Sequence, residues 1–212
     1  MTDSVFRTPA QREADRVAKR EAVLRAAVRM FNEKGFHATS LDDVAASLGI
    51  SKRTIYHYLA NKDQVLLECV TIGLGQLREA AAEARARPGT GRDRLMRFLR
   101  RYAEVNMEDF GRCVIRTGDE VLSAESRPRF RQLKREIDMA MRAMIADAIA
   151  DGSIAPVDVK LAAFTLAGAL NWPARWHAAE GGMSAGEISG AMVDMLMNGL
   201  PPAHGVAQAN SA

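Results

Sequence analysis

The chain has 212 residues, of which 48% are hydrophobic and 26% are charged, and its formal net charge is +3. This length allows one sizeable core or a small module fused to a larger one, and it argues against a single mini-domain. Because Ala, Leu, Met, Arg and Glu are plentiful while β-branched and aromatic residues occur singly, the composition predicts an all-α protein.

The basic surplus lies in the first third of the chain. Residues 1–62 contain 11 Lys and Arg against 7 Asp and Glu, whereas residues 63–212 contain 18 against 19. A local excess of cations is expected where a protein meets a polyanion such as nucleic acid, although a solvated basic helix gives the same pattern. The first third is therefore the candidate nucleic-acid-binding part.

Targeting and catalytic signals are missing from the sequence. The first thirty residues lack a signal-peptide pattern, and the longest apolar stretch, about 159–172, is shorter than the roughly 20 residues that span a bilayer. We therefore expect a cytoplasmic protein without a membrane partner. Cys69 and Cys113 lack zinc or disulfide spacing, the histidines are dispersed, and no phosphate-binding loop or nucleophile motif occurs. No enzyme activity, metal or cofactor is expected.

Apolar residues at helical spacing and local capping signals predict four helices in the first part of the chain. Gly35 and Gly49 are suited to end helices, Ser40 and Ser51 are suited to cap them, and Asn61 begins the fourth and longest helix. The predicted elements are a flexible arm over residues 1–12 and helices over about 14–34, 40–48, 52–59 and 61–86.

The rest of the chain is predicted to be a series of helices separated by polar or Gly-rich breaks. Pro173 falls inside one apolar pattern and should kink that helix. These helices cover about 92–109, 112–122, 128–150, 157–179 and 184–198, which makes about nine in total, and the small polar residues of 201–212 are expected to be disordered.

The spacing over residues 41–59 predicts a helix-turn-helix. Two steeply crossing helices need a small residue at the contact and a turn residue free to adopt positive φ, which suits Ala45 and Gly49. Val44, Leu48 and Ile55 are expected to form the apolar wedge. The outward face of the second helix then presents donors suited to base edges in the major groove, namely Lys52, Arg53, Thr54, Tyr56 and His57. An ordinary helical hairpin is the alternative.

Residues from about 12 to 67 resemble the DNA-binding head of the TetR family of transcriptional regulators. The stretch AAVRMFNEKGFHATSLDDVAASLGISKRTIYHYLANKDQVL has that family's Phe-x-x-x-Gly-Phe helix end, Gly-Ile-Ser turn and Asn-Lys-Asp entry into the fourth helix. The resemblance implies base contacts around Lys52, Arg53 and Tyr56. It also implies contacts with the DNA backbone by Ser40, Thr54, Tyr58 and Lys62. The full predicted DNA-binding set is Ser40, Ser51, Lys52, Arg53, Thr54, Tyr56, His57, Tyr58 and Lys62.

Regulators of this kind bind palindromic operators as homodimers, because one short recognition helix makes few contacts. The predicted domains are a DNA-binding domain at 13–62 and an effector-binding and dimerisation domain at 63–200. The last two helices suit a dimer surface, since residues 161–200 contain a single basic residue. The predicted interface residues are Ala163, Ala167, Gly168, Ile188, Met192 and Met195, although these faces could instead line the core of one chain.

The middle helices are expected to enclose a small-molecule effector. The stretch NWPARWHAAEGG, residues 171–182, resembles the C-terminal domain of TetR regulators of fatty-acid and steroid-ring catabolism, several of which respond to acyl-CoA thioesters. In this stretch Arg175 could bind a phosphate of the thioester while Trp172 or Trp176 stacks on its adenine ring. Alternatively, the two tryptophans could pack in the dimer interface and Arg175 could pair with a local carboxylate. The candidate effector residues are Phe98, Tyr102, Phe110, Phe164, Trp172, Arg175 and Trp176.

The resulting hypothesis is a homodimeric repressor that is released from its operator by a small hydrophobic effector, for which an acyl-CoA thioester is the leading candidate. One alternative is a regulator of the same fold that senses a drug or another lipophilic compound. Another is an architectural DNA-binding protein without an effector, but such a protein needs basic surface throughout, whereas residues 63–212 are near neutral.

Overall fold

The structure is a computed structural model that describes residues 8–178, 180 and 182–200, and its regular secondary structure over these residues is helical. The all-α prediction is therefore confirmed. The helices are α1 (Pro9–Lys34), α2 (Leu41–Ser47), α3 (Lys52–Tyr58), α4 (Lys62–Ala86), α5 (Gly91–Met107), α6 (Asp109–Arg116), α7 (Arg127–Ala150), α8 (Val159–Asn171), α9 (Pro173–Trp176) and α10 (Ala185–Asn198), with a short 3₁₀ helix at Asp119–Val121.

Local capping determines where α2, α3 and α4 begin. The Ser40 hydroxyl accepts a hydrogen bond from the Asp43 amide at 3.0 Å, and the Asp43 carboxylate accepts one from the Ser40 amide, which completes a capping box. Ser51 Oγ accepts from the Thr54 amide at 3.1 Å. Asn61 Oδ1 accepts at 2.8 Å from the amide three residues later. The three predicted N-caps are confirmed.

Two boundaries differ from the sequence-based expectation. Periodicity predicts that α1 starts near Ala14, but the helix starts at Pro9 because Thr8 forms a capping box with Gln11. The helix predicted at 112–122 is instead α6 followed by a 3₁₀ turn, since Thr117 has an extended backbone that ends α6. Residues 1–7 of the predicted arm and the predicted tail lie outside the described residues.

Pro173 divides what the apolar pattern suggests is one helix over 157–179. It has no amide N–H to continue the hydrogen bonds of α8, so α8 ends at Asn171 and the four-residue α9 begins at Pro173 itself. The predicted kink at this proline is confirmed.

Contacts within the chain define two compact units. The N-terminal unit comprises the chain up to Gln76 together with Glu108–Glu136, and the C-terminal unit comprises Leu77–Met107 together with the chain from Ile137. Each unit has its own buried apolar core. The N-terminal core includes Leu24, Val28, Ile55, Leu66 and Phe130, and the C-terminal core includes Leu95, Phe98, Leu99, Met144, Ile145 and Leu170.

One glycine in each unit permits a close helix contact. A Cβ atom at Gly73 in α4 would lie 2.6 Å from the Phe110 carbonyl oxygen of α6. A Cβ atom at Gly91, the first residue of α5, would lie 2.4 Å from Ala148 Cα of α7. Both separations are far below van der Waals contact, so each crossing depends on the absence of a side chain.

Candidate nucleic-acid interface

The turn between α2 and α3 fixes the angle at which α3 is presented. Gly49 has φ 63°, and the next amide donates to the Ala45 carbonyl oxygen at 3.0 Å. Val44 and Ile55 are fully buried. Leu48 is 36% exposed, so its predicted place in the wedge is wrong; it lies at the end of α2, where the chain turns towards α3. The wedge therefore rests on Val44, Ala45 and Ile55.

The opposite face of α3 is accessible to solvent. This face contains the residues predicted to read bases, and Tyr56, at 53%, is the most exposed aromatic residue of the helix-turn-helix. The exposed residues of this seven-residue helix are Lys52, Arg53, Tyr56 and His57, whereas Thr54 and Tyr58 are half-buried.

Lys52 forms an ion pair that the sequence pattern does not predict. Its Nζ donates to Asp42 Oδ2 at 2.5 Å, and this hydrogen bond raises the pKa of Lys52. Asp42 lies in the first turn of α2, ten positions earlier, so the pair arises only when the two helices pack. Because the Lys52 side chain is 73% exposed, the ion pair is weak in water. If Lys52 contacts DNA, its ammonium group must leave Asp42 and bind the nucleic acid instead.

A cleft of about 400 Å³ lies beside α3 and is lined by Ser40, Tyr56 and Lys62, among others. Lys62 Nζ lies 4.2 Å from the centre of the Phe36 ring and donates to the His37 carbonyl oxygen at 3.4 Å. Desolvation by burial lowers the pKa of Lys62. The structure thus brings a cation and hydroxyl groups together next to the exposed face of α3, which is the chemistry of phosphate contacts.

The predicted effector residues do not gather at one place. Phe110 is buried in the N-terminal unit, whereas the other six belong to the C-terminal unit. Two of these six are buried and four are exposed. The buried ones are Phe98 and Tyr102, and the exposed ones are Phe164, Trp172, Arg175 and Trp176.

A buried polar cluster in the C-terminal unit surrounds the side chain of Asn171. The Tyr102 hydroxyl donates to Asn171 Oδ1 at 2.8 Å, and Asn106 Nδ2 donates to the same oxygen at 3.0 Å. Burial raises the pKa of Tyr102. Sequence reasoning identified Tyr102 and the stretch that begins at Asn171, but it assigned no role to Asn106 or Asn171, although a polar residue that interrupts an apolar helical pattern is a usable signal.

The C-terminal unit also contains a cleft of about 540 Å³ between parts of α5, α7, α8 and α10. Its lining is mainly apolar and includes Leu95, Ile145 and Leu196, with Arg92 and Asp158 as charged groups. The predicted effector residues do not line this cleft. Sequence reasoning missed it because its residues come from four helices and from the segment between α7 and α8, so they are dispersed along the sequence.

The residues predicted for dimerisation divide by exposure. Ala163 and Ile188 are buried within their own unit, so they cannot offer much surface to another chain. Gly168 and Met195 are exposed. Ala167 and Met192 are half-buried. The accessible face of α8 is formed mainly by the larger residues Leu161 and Phe164, and Trp172, the C-cap residue, continues it.

Residues 8–178, 180 and 182–200 contain neither a metal-binding cluster nor a membrane-spanning helix. No group of three or more His, Cys, Asp or Glu there is arranged to hold a metal ion. None of the helices in the same part of the chain is both long and apolar enough to cross a bilayer. Cys69 and Cys113 are buried free thiols, and burial raises the pKa of both, that of Cys113 to about 11.

A capped α2, a turn at Gly49 and an exposed polar α3 define a helix-turn-helix DNA-binding protein. Residues 23–69 match the family described as bacterial regulatory proteins, tetR family, and residues 88–200 match the tetracyclin repressor-like C-terminal domain. The chain therefore belongs to the TetR family and is a DNA-binding transcriptional regulator, as the sequence resemblance predicts.

Several known proteins share this organisation. The TetR family regulator PfmR from Thermus thermophilus is 31% identical, with a TM-score of 0.77 over 85% of this chain and 99% of PfmR. The uncharacterised regulator YhgD of Bacillus subtilis is 26% identical over 153 residues, which are 71% of this chain and 79% of YhgD. AibR, solved with isovaleryl coenzyme A and operator DNA, is 23% identical and shares the fold, with a TM-score of 0.73 over 83% of this chain and 96% of AibR.

Proposed function

We propose that this chain acts in the cytoplasm as a homodimeric repressor of a palindromic operator and that a small hydrophobic effector releases it. The observation that carries the proposal is an exposed apolar face on α8, with Leu161 66%, Phe164 54% and Trp172 62% exposed. These positions and Gly168 recur at helical spacing, so they share one side of the helix. Contiguous apolar surface of this kind marks interaction sites.

A second copy of the chain is the partner that suits this face. The recognition helix has only seven residues, and two such helices about 34 Å apart are needed to read successive major grooves. Gly168 lies in open space on this face, since a Cβ atom built there meets nothing within 4 Å, and its lack of a side chain would allow a second copy to approach closely. A symmetric pairing through α8 and the exposed part of α10 would therefore bury the apolar face and join two DNA-binding units.

For the effector, an acyl-CoA thioester is the leading class. Arg175 offers a cation for a phosphate, and Trp176, which lies outside the proposed dimer face, offers exposed aromatic surface next to it in sequence. AibR provides an example of the same fold that accommodates both isovaleryl coenzyme A and operator DNA. A drug or another lipophilic compound is the alternative effector class.

Release requires that the effector bind one conformation better than the other. A complete switch from 1:99 to 99:1 needs a difference of about 5.5 kcal/mol in binding free energy between the two states. Helices α4 and α7 each run from one compact unit into the other, and the chain crosses a third time between α5 and α6. These three crossings are the covalent routes by which a ligand in the C-terminal unit would act on DNA binding.

Tyr56→Ala and Lys62→Ala test the DNA-binding surface. Each should weaken operator binding by about 1–3 kcal/mol and leave the dimer intact, because each removes a DNA contact at a partly exposed position. Binding is measured by fluorescence anisotropy on an operator obtained by selection from random DNA. Arg85→Ala, an exposed arginine in the C-terminal unit, is the control. Dissociation of the dimer by either variant would contradict this assignment.

Titration of a preformed protein–operator complex with a panel of acyl-CoA thioesters tests the effector. At least one thioester should release DNA, and Arg175→Gln should raise the required concentration about tenfold, as expected for the loss of a charge-assisted hydrogen bond. Arg85→Gln should respond like the wild-type protein. Release by a lipophilic drug but by no thioester would overturn the acyl-CoA proposal and favour the alternative.

A further inference from the structure

The first half of α1 contributes no buried side chain to the core of its unit. From Thr8 to Ala22 every described residue is exposed or half-buried, and the first buried residues of the helix are Val23 and Leu24. An isolated helix of this length is marginal in water. It is stabilised here by the capping box at Thr8 and by surface ion pairs such as Arg16 with Glu13 at 2.7 Å. Folding alone therefore does not explain why the chain extends α1 this far.

Four residues on one side of this exposed half form a cleft with the end of α3. Arg12, Asp15, Arg16 and Lys19 follow the i, i+3, i+4, i+7 spacing of a single helix face. Together with Tyr58 they line a cleft of about 180 Å³. Three cations, one carboxylate and one phenol hydroxyl thus surround a small opening.

The position of the cleft indicates what these groups bind. Tyr58 is the last residue of α3, two positions after the exposed Tyr56, and all the lining residues belong to the N-terminal unit. A duplex that receives α3 in its major groove has a phosphate backbone at both edges of that groove. Arginine and lysine side chains with a tyrosine hydroxyl are typical phosphate ligands in such interfaces.

We propose that Arg12, Arg16 and Lys19 of α1, together with Tyr58, bind a phosphate of the operator backbone outside the helix-turn-helix. The contact would position the head on the duplex without reading sequence, and its strength would depend on salt through counterion release. The carboxylate of Asp15 opposes the bound phosphate. The proposal rests on operator binding through α3 but not on dimerisation or on any effector.

The double variant Arg12→Gln with Lys19→Gln tests the cleft. It should weaken operator binding severalfold and reduce the slope of log affinity against log salt by about one for each phosphate interaction that the substitutions remove. The control is Arg25→Gln, which removes one positive charge from the same helix at a residue paired with Glu21, outside the cleft. It should change neither affinity nor slope.

The variant Asp15→Asn should change operator affinity in the opposite direction. Removal of the opposing carboxylate should tighten operator binding and steepen the salt dependence, a result that damage to the fold would not produce. The proposal is overturned if the double variant matches Arg25→Gln in affinity and slope, or if Asp15→Asn weakens binding. Tyr56→Ala, measured in parallel, reports separately on α3, so failure of the α1 contact is distinguishable from failure of the helix-turn-helix assignment.

Discussion

The two compact units expose opposite kinds of surface. The N-terminal unit presents cations and hydroxyl groups on α3 and beside it, whereas the C-terminal unit presents large apolar side chains on α8, such as Leu161 and Phe164. A polar surface can stay in water until DNA arrives, but an apolar surface of this size lowers its free energy when it is covered. This difference fits the proposed function, in which the N-terminal unit meets DNA and the C-terminal unit joins two copies of the chain.

The largest expected effect comes from a charge on the apolar face. Phe164→Glu should raise the dissociation constant of the dimer by about a hundredfold, because the interface would then have to desolvate a carboxylate in place of an aromatic ring, at a cost of several kcal/mol. Arg142 and Lys160, whose cationic groups lie 5.2 Å and 5.8 Å from the centre of the Phe164 ring, should keep the glutamate compatible with the folded monomer. Sedimentation analysis measures the change.

Val17→Glu is the matched control for that variant. Val17 in α1 is also 54% exposed, but it belongs to the N-terminal unit. We expect it to leave self-association unchanged. A dimer that tolerates Phe164→Glu but dissociates with Val17→Glu would reverse the assignment of the two surfaces.

A smaller effect, on the stability of the fold, is expected in the N-terminal unit, where α4 crosses α6. Gly73→Ala should lower the free energy of unfolding by about 1–3 kcal/mol, because the added Cβ would lie 2.6 Å from the Phe110 carbonyl oxygen and the backbone must move. Gly75→Ala is the control on the same helix. Its Cβ meets nothing within 4 Å, so the variant should be stabilised by up to about 1 kcal/mol. Equal denaturation midpoints for the two variants would contradict the close crossing.

The smallest of these effects concerns Asp63, at the start of α4. Its carboxylate accepts hydrogen bonds from the Ser123 amide at 2.7 Å, from the Ser123 hydroxyl at 2.9 Å and from the Ser126 hydroxyl. Burial by itself would raise the pKa of Asp63, but the hydrogen bonds from Ser126 and Ser123 outweigh it and lower the pKa. Asp63→Asn should therefore cost about 1 kcal/mol at neutral pH.

The pH dependence of the free energy of unfolding tests the role of the Asp63 carboxylate. A carboxyl group with a lowered folded-state pKa contributes its full stability above the ordinary Asp pKa of about 3.9, and that contribution is lost as the pH falls through the lower folded value. The stability difference between the wild-type protein and Asp63→Asn should therefore be constant above about pH 5 and shrink in more acidic solution. Glu125→Gln, an exposed neighbour, should show no such pattern. A difference that stays the same throughout the acidic range would contradict the role of the carboxylate.

Features with local sequence signals were predictable. Ser40, Ser51 and Asn61 cap helices through hydrogen bonds with residues three positions later in the sequence. The spacing of these residues is therefore enough to predict the helix-turn-helix. The same kind of signal was overlooked at Thr8 and Gln11, which extend α1 to Pro9.

Contacts between distant residues were not predictable in this way. Asp63 meets Ser123 sixty positions later, and Tyr102 meets Asn171 sixty-nine positions later, so these pairs depend on how the helices pack. The burial of Ala163 and the exposure of Phe164, adjacent on α8, likewise depend on which side of the helix faces its neighbours.

The ion pair between Lys52 and Asp42 has a consequence for how the protein searches a chromosome. Most DNA that a regulator meets is not its operator, and attraction to such DNA comes almost entirely from cations that neutralise phosphates. Although the pair is weak, the carboxylate of Asp42 next to the Nζ of Lys52 reduces the net positive charge that this part of the surface offers to arbitrary sequence. We expect shorter dwell times on non-operator DNA, and so a faster search, than a recognition helix with an unopposed lysine would give.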